Sequence, residues 1–196
     1  MARKPQFERE AALTNAMNLF WKQGYHATSM KDIELALDMR PGSIYAAFGS
    51  KQELFQEAIV CYGDQTREMF AEVLASGNSE LEGLKNLLLG TAHRYHEHIP
   101  SKACMLVKTL LELSNQDTVD SQSVKSYMND LQEMFEVKFQ RAIDAGEISQ
   151  QANAKRLAHL FQTNVIGLSV MAQRDVSVGK IEQLAEDMVL HILPIG

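Results

Sequence analysis

The chain has 196 residues and is 45% hydrophobic, which is enough for one large or two modest globular domains with a buried core. Its net charge of −6 at pH 7 argues against a general nucleic-acid binder, and two cysteines are too few for a disulfide framework. It has no run of about eighteen apolar residues and begins with charged sequence, so we expect a cytoplasmic protein with no membrane partner.

The charges are distributed unevenly along the chain. Residues 1–51 contain seven Lys or Arg and five acidic residues, a net charge of +2, whereas the remainder contains twelve basic and twenty acidic residues, a net charge of −8. This asymmetry predicts two modules, of which the basic N-terminal one would face phosphate groups.

The first predicted helix runs from about Pro5 to Gln23, and Gly24 ends it. Its buried stripe is the apolar set spaced i, i+3, i+4 and i+7, namely Leu13, Ala16, Met17 and Phe20.

The next segment predicts two short helices joined by a sharp turn. Thr28 and Ser29 are N-cap residue types in front of an apolar set at helical spacing, Met30, Ile33, Ala36 and Leu37. Asp38 supplies the turn, because Asp tolerates a left-handed backbone. Pro41 suits the first position of the second helix, where its missing N–H has no cost.

The second short helix has one anchored side and one free side. Ile44 and Phe48 are four residues apart and are expected to hold it to the body, so that the outward side carries Gly42, Ser43, Tyr45 and Ala46. A helix whose N-terminal residues are small and polar in this way suits the major groove of DNA. Ser50 and Glu53 predict a capping box for the following helix, whose N-terminal Lys51 would attract a phosphate.

This pattern resembles the helix-turn-helix of the TetR/AcrR family of transcriptional regulators, which carries a Gly-x-Leu/Ile-Tyr-x-x-Phe-x-x-Lys run, here Gly42, Ile44, Tyr45, Phe48 and Lys51. The resemblance is close over residues 7–64. It differs from common family residues at Asp38, Arg40, Ala46 and Ala47. Arg40 could bind guanine or a phosphate, whereas the two alanines offer only methyl contacts.

The resemblance implies an all-α protein with two domains: a DNA-binding domain at 6–66, with its helix-turn-helix at about 29–48, and an effector-sensing and dimerisation domain at 67–196. It implies DNA contacts from Thr28, Ser29, Arg40, Pro41, Gly42, Ser43, Tyr45, Ala46 and Lys51.

The rest of the chain predicts helices only. A loop at 76–79 is followed by helices from Glu80 to about His98 and from Pro100 to about Leu113, and a polar stretch at 114–123 predicts another loop. A long helix then starts near Val124 and ends at Gly146. With the two apolar helices that follow, the prediction is about nine helices and no strand.

The last two helices could be the core of one chain or an interface between two. The residues alone leave these alternatives even, and the resemblance implies a homodimer whose interface includes Leu160, Asn164, Gly167, Leu168, Leu184 and Met188. A two-fold dimer presents its recognition helices to major grooves about 34–36 Å apart, which predicts a palindromic double-stranded DNA operator.

Cys104 is the candidate sensing residue. We expect it in the first turn of the helix that starts at Pro100, where the helix dipole favours a thiolate, with Lys108 one turn on and Lys102 nearby. The segment is similar to a Gly-Cys-Leu-x-x-Asn segment in family branches that respond to electrophiles or oxidants. The alternative is a buried core thiol, which we also expect for Cys61.

A histidine cluster offers a different class of function. His93 and His96 lie three apart on one helix face, beside Glu97 and His98, and could ligate zinc in a metal-dependent enzyme. No matching Cys or acidic set accompanies them, so a polar helix end is the better interpretation, and we predict no cofactor. Either core packing or an apolar effector pocket explains the Met residues together with Phe135, Phe139 and Phe161.

We therefore predict a sequence-specific DNA-binding transcriptional regulator rather than an enzyme. It would be a repressor released from its operator by an unknown small-molecule effector or by an electrophile or oxidant. The alternatives are the metal-dependent enzyme with His93 and His96, and a helical scaffold without DNA binding.

Overall fold

The computed structural model describes residues 5–96, 99–113, 118–174 and 176–193, and within these ranges it contains only helices and their connections. The all-α prediction is confirmed. The helices are α1 (Pro5–Gln23), α2 (Met30–Leu37), α3 (Pro41–Phe48), α4 (Lys51–Ala75), α5 (Glu80–His93), α6 (Met105–Glu112), α7 (Val119–Asp144), α8 (Ala154–Ala172) and α9 (Val178–Ile192), with a short 3-10 segment at Arg94–His96. None of the described helices is long and apolar enough to cross a membrane.

The N-terminal helices begin and end where their capping residues predict. Gly24 follows α1 with φ +86°, and its N–H donates to the carbonyl of Phe20 over 2.7 Å. Asp38 adopts the left-handed conformation at φ 50° between α2 and α3, and Pro41 is the first residue of α3. The predicted bounds of α1 are confirmed.

The chain divides into two compact units. The first comprises Met1–Gln65 together with Met105–Lys125, and the second comprises Thr66–Cys104 together with Ser126–Gly196. The first unit thus includes α6 and the start of α7 from the middle of the chain, which the predicted limits of 6–66 and 67–196 assign to the C-terminal domain. As functional domains, those limits stay a prediction.

The first unit has an aromatic core. The Phe20 and Phe55 rings meet edge to face at 5.0 Å between centroids, and Tyr25 lies 4.7 Å from Phe55. Trp21 packs on Tyr62 at 5.0 Å. Helix α1 packs on α2, which follows it in the chain, and also on α6. It therefore has neighbours from two distant parts of the chain.

The second unit buries three phenylalanines whose rings meet edge to face. The Phe161 ring lies 4.9 Å from Phe135 and 5.9 Å from Phe139, and all three residues are at most 1% exposed. For these three side chains, the structure therefore favours core packing over an apolar effector pocket. Around them, α5 packs against α8 and α9, and α8 packs against α9.

Two predicted helix starts are wrong. The helix expected from Pro100 begins at Met105, because the amide oxygen of Gln173 accepts bonds from Ser101 Oγ and Ala103 N and holds the intervening residues out of helix. The long helix α7 begins at Val119 rather than near Val124. Thr118 and Ser121 cap it reciprocally, each side-chain oxygen accepting the other's N–H over 3.2 Å.

Helix α5 also ends earlier than predicted. It stops at His93 and tightens into the 3-10 segment, whereas Glu97 and His98, which the prediction placed in the same helix, lie outside the described residues.

Gly83 marks a close crossing in the second unit. A Cβ at Gly83 would lie 2.3 Å from the carbonyl oxygen of Leu74, whereas a Cβ at Gly90, in the same helix, would meet nothing within 4 Å. We therefore expect Gly83→Ala to lower the free energy of unfolding by about 1–3 kcal/mol through overpacking, although alanine is the better helix former.

Gly90→Ala is the matched control for this prediction, since it should raise the free energy of unfolding by up to about 1 kcal/mol. Urea unfolding followed by circular dichroism measures both variants. Equal effects of the two substitutions would contradict the close crossing.

Candidate nucleic-acid interface

Helix α2 begins with a complete capping box. Ser29 Oγ accepts the N–H of Asp32 over 3.2 Å, while the Asp32 carboxylate accepts both the Ser29 hydroxyl at 2.6 Å and the Ser29 N–H at 2.8 Å. These bonds, led by the hydroxyl of Ser29, lower the pKa of Asp32. The Ser29 hydroxyl therefore has a structural role, and its contact with DNA stays a prediction.

Helix α3 has one buried and one exposed side. Ile44 and Phe48 are 1% and 4% exposed and fix the helix to the first unit. Its outward side exposes Gly42, Ser43, Tyr45 and Ala46 as predicted, with Tyr45 at 50% exposure, and Pro41 and the preceding Arg40 are exposed as well. The exposure that DNA contact requires is therefore present, and the individual contacts stay predictions.

Thr28 is a correction to the predicted contact set. The residue is only 1% exposed, and its hydroxyl donates to the carbonyl of Gly24 over 2.6 Å. The predicted DNA contact from this side chain is wrong, because the hydroxyl is buried and closes the turn between α1 and α2.

The N-terminus of α4 lies beside an aromatic ring. Ser50 Oγ accepts the N–H of Glu53 over 3.1 Å, and the Lys51 ammonium lies 4.3 Å from the centre of the Tyr25 ring. Burial lowers the pKa of Lys51, against the opposing effect of the Glu112 and Asp32 charges. Lys51 is thus held at a helix N-terminus, where an anion is favoured.

Arg9 is a residue that the sequence analysis missed. Its guanidinium binds both carboxylate oxygens of Glu57 at 2.7 and 2.8 Å, donates to the carbonyl of Ala47 at 3.3 Å, and lies 4.6 Å from the Phe48 ring centre. It therefore connects α1 to α4 and to the end of α3. No local signal could reveal this, since its partners are 38 and 48 residues away.

The predicted role of Lys108 needs correction. Its ammonium donates to the carbonyls of Trp21 and Lys22 over 2.6 and 3.1 Å, at the C-terminal end of α1, and burial lowers its pKa. Its charge is therefore used on α1 rather than on a thiolate. Cys104, a half-buried free thiol, precedes α6 instead of lying in its first turn, and its sensing role stays a prediction.

Glu112, one turn beyond Lys108, is the second residue that the sequence analysis missed. Its two carboxylate oxygens accept the backbone N–H groups of Tyr25 at 3.1 Å and His26 at 2.7 Å.

The predicted dimer residues differ in their exposure within one chain. Leu160 is 44% exposed, and Asn164, Gly167, Leu184 and Met188 are partly exposed, so they retain surface for a partner. Leu168 is 0% exposed. Its assignment to the dimer interface is wrong, because it already belongs to the core of the second unit.

One histidine of the cluster contacts a carboxylate instead of joining a ligand set. His93 Nδ1 lies 2.8 Å from Glu182 Oε1, which links α5 to α9. The side chain of His96, and all of His98, lie outside the described residues. Among the described residues no group of three or more His, Cys, Asp or Glu could hold a metal ion.

Comparison with known families gives two matches, one in the N-terminal part of the chain and one in the C-terminal part. A model of bacterial regulatory proteins of the tetR family matches residues 12–58, and a model of the tetracyclin repressor-like C-terminal domain matches residues 81–186.

Individual relatives extend this similarity to nearly the whole chain. The transcriptional repressor ComR of Escherichia coli K12 is 28% identical over 181 residues, which is 91% of this chain and 86% of ComR. The structure of a cysteine-substituted CifR, complexed with 26-base-pair operator DNA, has a TM-score of 0.83 at 30% identity and covers 96% of this chain and 98% of that chain. A regulator from Chloroflexus aurantiacus J-10-FL has a TM-score of 0.88 at 25% identity and covers 98% of both chains.

Two serines of this surface should respond differently to removal of the hydroxyl. Ser29→Ala deletes the cap of α2 and should lower the free energy of unfolding by about 0.5–2 kcal/mol. Ser43→Ala, on the exposed side of α3, should change it by no more than about 0.5 kcal/mol. Thermal unfolding of both variants measures the difference, and equal stability of the two would contradict a structural role for the Ser29 cap.

Proposed function

Because this chain belongs to the TetR family of bacterial regulatory proteins, we propose that it binds a palindromic operator as a homodimer and represses transcription until a signal releases it. The observation that carries this proposal is the exposed face of α3, which is held from behind by the buried Ile44 and Phe48. A helix supported in this way can enter a major groove without losing its packing.

The exposed residues of α3 have distinct chemical roles in this proposal. Gly42 lies on open surface, where a Cβ would meet nothing within 4 Å, and its lack of a side chain lets the backbone approach DNA closely. Ser43 and Tyr45 supply hydroxyl groups for base edges or phosphates, and Ala46 offers a methyl contact to thymine. Arg40 can bind guanine with two hydrogen bonds, or a phosphate.

Lys51 supplies charge to the phosphate backbone. It stands at the N-terminus of α4, where exposed N–H groups and the helix dipole also favour an anion. Contacts of this kind position the protein on the duplex, while the α3 side chains read its sequence.

The partly exposed surface of α8 and α9 supports the proposed homodimer. Leu160, Val170 and Leu190 are 44%, 43% and 69% exposed within one chain, which is apolar area that a second copy can cover. Two-fold symmetry would then place two copies of α3 on one side of a duplex, about 34–36 Å apart. CifR, similar over nearly the whole length, has been solved on 26-base-pair operator DNA.

Repression is the sign of regulation that the relatives support, since ComR is named a transcriptional repressor. A protein that binds chromosomal operators works in the cytoplasm, which is where we place this chain. Its relatives are regulators and not enzymes, and the metal-dependent enzyme alternative is not supported.

The release signal is a small molecule or a reactive electrophile or oxidant that acts on the C-terminal part of the chain. Cys104 is the candidate for the reactive group because its thiol is half-buried rather than enclosed and lies directly before α6. The other thiol, Cys61, is also half-buried rather than in the core as expected, and it is a weaker candidate because burial raises its pKa and so disfavours the reactive thiolate.

Operator binding is tested with the DNA upstream of the protein's own gene. Binding should weaken as salt rises, because neutralised phosphates release counterions. Tyr45→Ala should lower the affinity about tenfold or more, since a hydrogen bond to a charged phosphate contributes about 1.5–3 kcal/mol. Fluorescence anisotropy measures the dissociation constants.

Val137→Ala is the control, because Val137 lies on α7 and is 45% exposed, about as much as Tyr45. It should bind like the unchanged protein. No binding of the unchanged protein at any salt concentration would refute the proposed function.

The thiol signal is tested on the protein–operator complex. Addition of a quinone or peroxide should release the unchanged protein and the Cys61→Ser variant, while Cys104→Ser should bind normally and stay bound. Gel-shift titration of the three proteins measures release. Release of Cys104→Ser at the same oxidant concentration would show that the signal does not act through this thiol.

A further inference from the structure

Two charged side chains of α6 bind the backbone where α1 ends and the chain turns toward α2. Lys108 Nζ donates to the carbonyls of Trp21 and Lys22, at 2.6 and 3.1 Å. Glu112 accepts the N–H groups of Tyr25 and His26, at 3.1 and 2.7 Å. The two side chains are one helical turn apart on α6. Their four partner residues all lie within residues 21–26.

The charges match the polarity of the backbone that they meet. The last carbonyls of a helix have no partner within the helix and carry a partial negative charge, which a cation neutralises. The N–H groups beyond the helix end likewise need acceptors, and a carboxylate forms strong, charge-assisted bonds with them. The cation and the anion of α6 thus satisfy, in order, the carbonyls and the N–H groups of one connection.

Gly24 lies at the centre of this connection and leaves space for the carboxylate. A Cβ at Gly24 would lie 3.0 Å from Glu112 Oε2, and its φ of +86° already favours glycine. The backbone and the Glu112 side chain therefore fit together closely.

The Tyr25 side chain extends this contact to Lys51. Glu112 fixes the Tyr25 backbone, the Phe55 ring lies 4.7 Å from the Tyr25 ring, and the Lys51 ammonium lies 4.3 Å from the centre of the same ring. The Glu112 charge also acts on Lys51 directly, since it opposes the lowering of the Lys51 pKa by burial. Glu112, Tyr25 and Lys51 thus form one connected set within the first unit.

We propose that Glu112 is a positioning residue for operator binding: it fixes Tyr25, and the Tyr25 ring in turn holds the Lys51 ammonium at the N-terminus of α4 for a phosphate. Lys108 assists by fixing the end of α1. The inference rests on the proposed DNA binding and names a route by which a change in α6 would alter a phosphate contact.

The direction in which operator affinity changes when Glu112 is removed distinguishes this positioning role from a simple effect of net charge. Removing an acidic side chain makes the protein less negative, which by itself favours binding to polyanionic DNA. If Glu112 positions Lys51, its removal should weaken binding instead. Glu133, an exposed acid on α7, provides the matched control for the loss of one negative charge.

The experiment measures operator affinity against salt concentration for five proteins: the unchanged chain, Glu112→Ala, Lys51→Ala, the double variant, and Glu133→Ala. Lys51→Ala should reduce the slope of log affinity against log salt by about one phosphate contact. Glu112→Ala should weaken binding by about two- to thirtyfold and reduce the slope in the same direction. The double variant should lose less than the sum of the single losses.

Glu133→Ala should bind as tightly as the unchanged chain or slightly more tightly. Affinity and slope of Glu112→Ala equal to those of the unchanged chain would overturn the inference, and so would losses that simply add in the double variant. Glu112→Gln keeps one acceptor oxygen and should lose less operator affinity than Glu112→Ala. If Glu112→Ala does not fold, an affinity and slope of Glu112→Gln equal to those of the unchanged chain would overturn the inference instead.

A measurement without DNA separates this inference from the proposed function. In the unchanged protein the Tyr25 ring current should shift the NMR signals of the Lys51 ε-methylene upfield, and this shift should decrease in the folded Glu112 variant. An unchanged shift would refute the positioning role even if operator binding is normal. Failure of the unchanged protein to bind any operator would refute the proposed function instead.

Discussion

The recognition helix depends on the burial of two side chains. Helix α3 has eight residues and spans about 12 Å, which is too short to be stable alone in water. It persists because Ile44 and Phe48 are almost completely buried on one side, while the other side is left free. The same burial therefore makes the helix stable and fixes which residues face outward.

Charged residues in the first unit bind helix ends. Arg9 donates to the carbonyl of Ala47 near the end of α3, Lys108 to two carbonyls at the end of α1, and Glu112 accepts two N–H groups just beyond it. Unpaired backbone groups at helix ends need partners wherever water is excluded. These contacts fix the end of α3 and the connection from α1 to α2.

The second unit is stabilised mainly by apolar packing. Phe135, Phe139 and Phe161 pack edge to face in its core, and α5 crosses α4 so closely that Gly83 leaves no space for a Cβ against Leu74. Close packing of this kind resists small displacements, so that rearrangements tend to occur between discrete states. A two-state response of this sort is what a releasable regulator requires.

Local residue patterns predict which segments are helical, the caps in the N-terminal region, and the outward face of α3. These features depend on residues within about four positions of one another, as at Ser29 with Asp32 or Ile44 with Phe48, and such spacing can be read directly. The reciprocal cap of Thr118 and Ser121 at the start of α7 is equally local, since its two residues are three positions apart.

Packing between distant helices, by contrast, sets which side chains lie at the surface and which lie in the core. Thr28 and Leu168 have residue types suited to their predicted contacts, but packing buries both of them. Gln173 holds residues near Cys104 out of helix from 70 positions away, and Glu112 reaches the end of α1 across 86 and 87 positions. Local periodicity carries no information about such pairs, because their geometry exists only once the helices have packed.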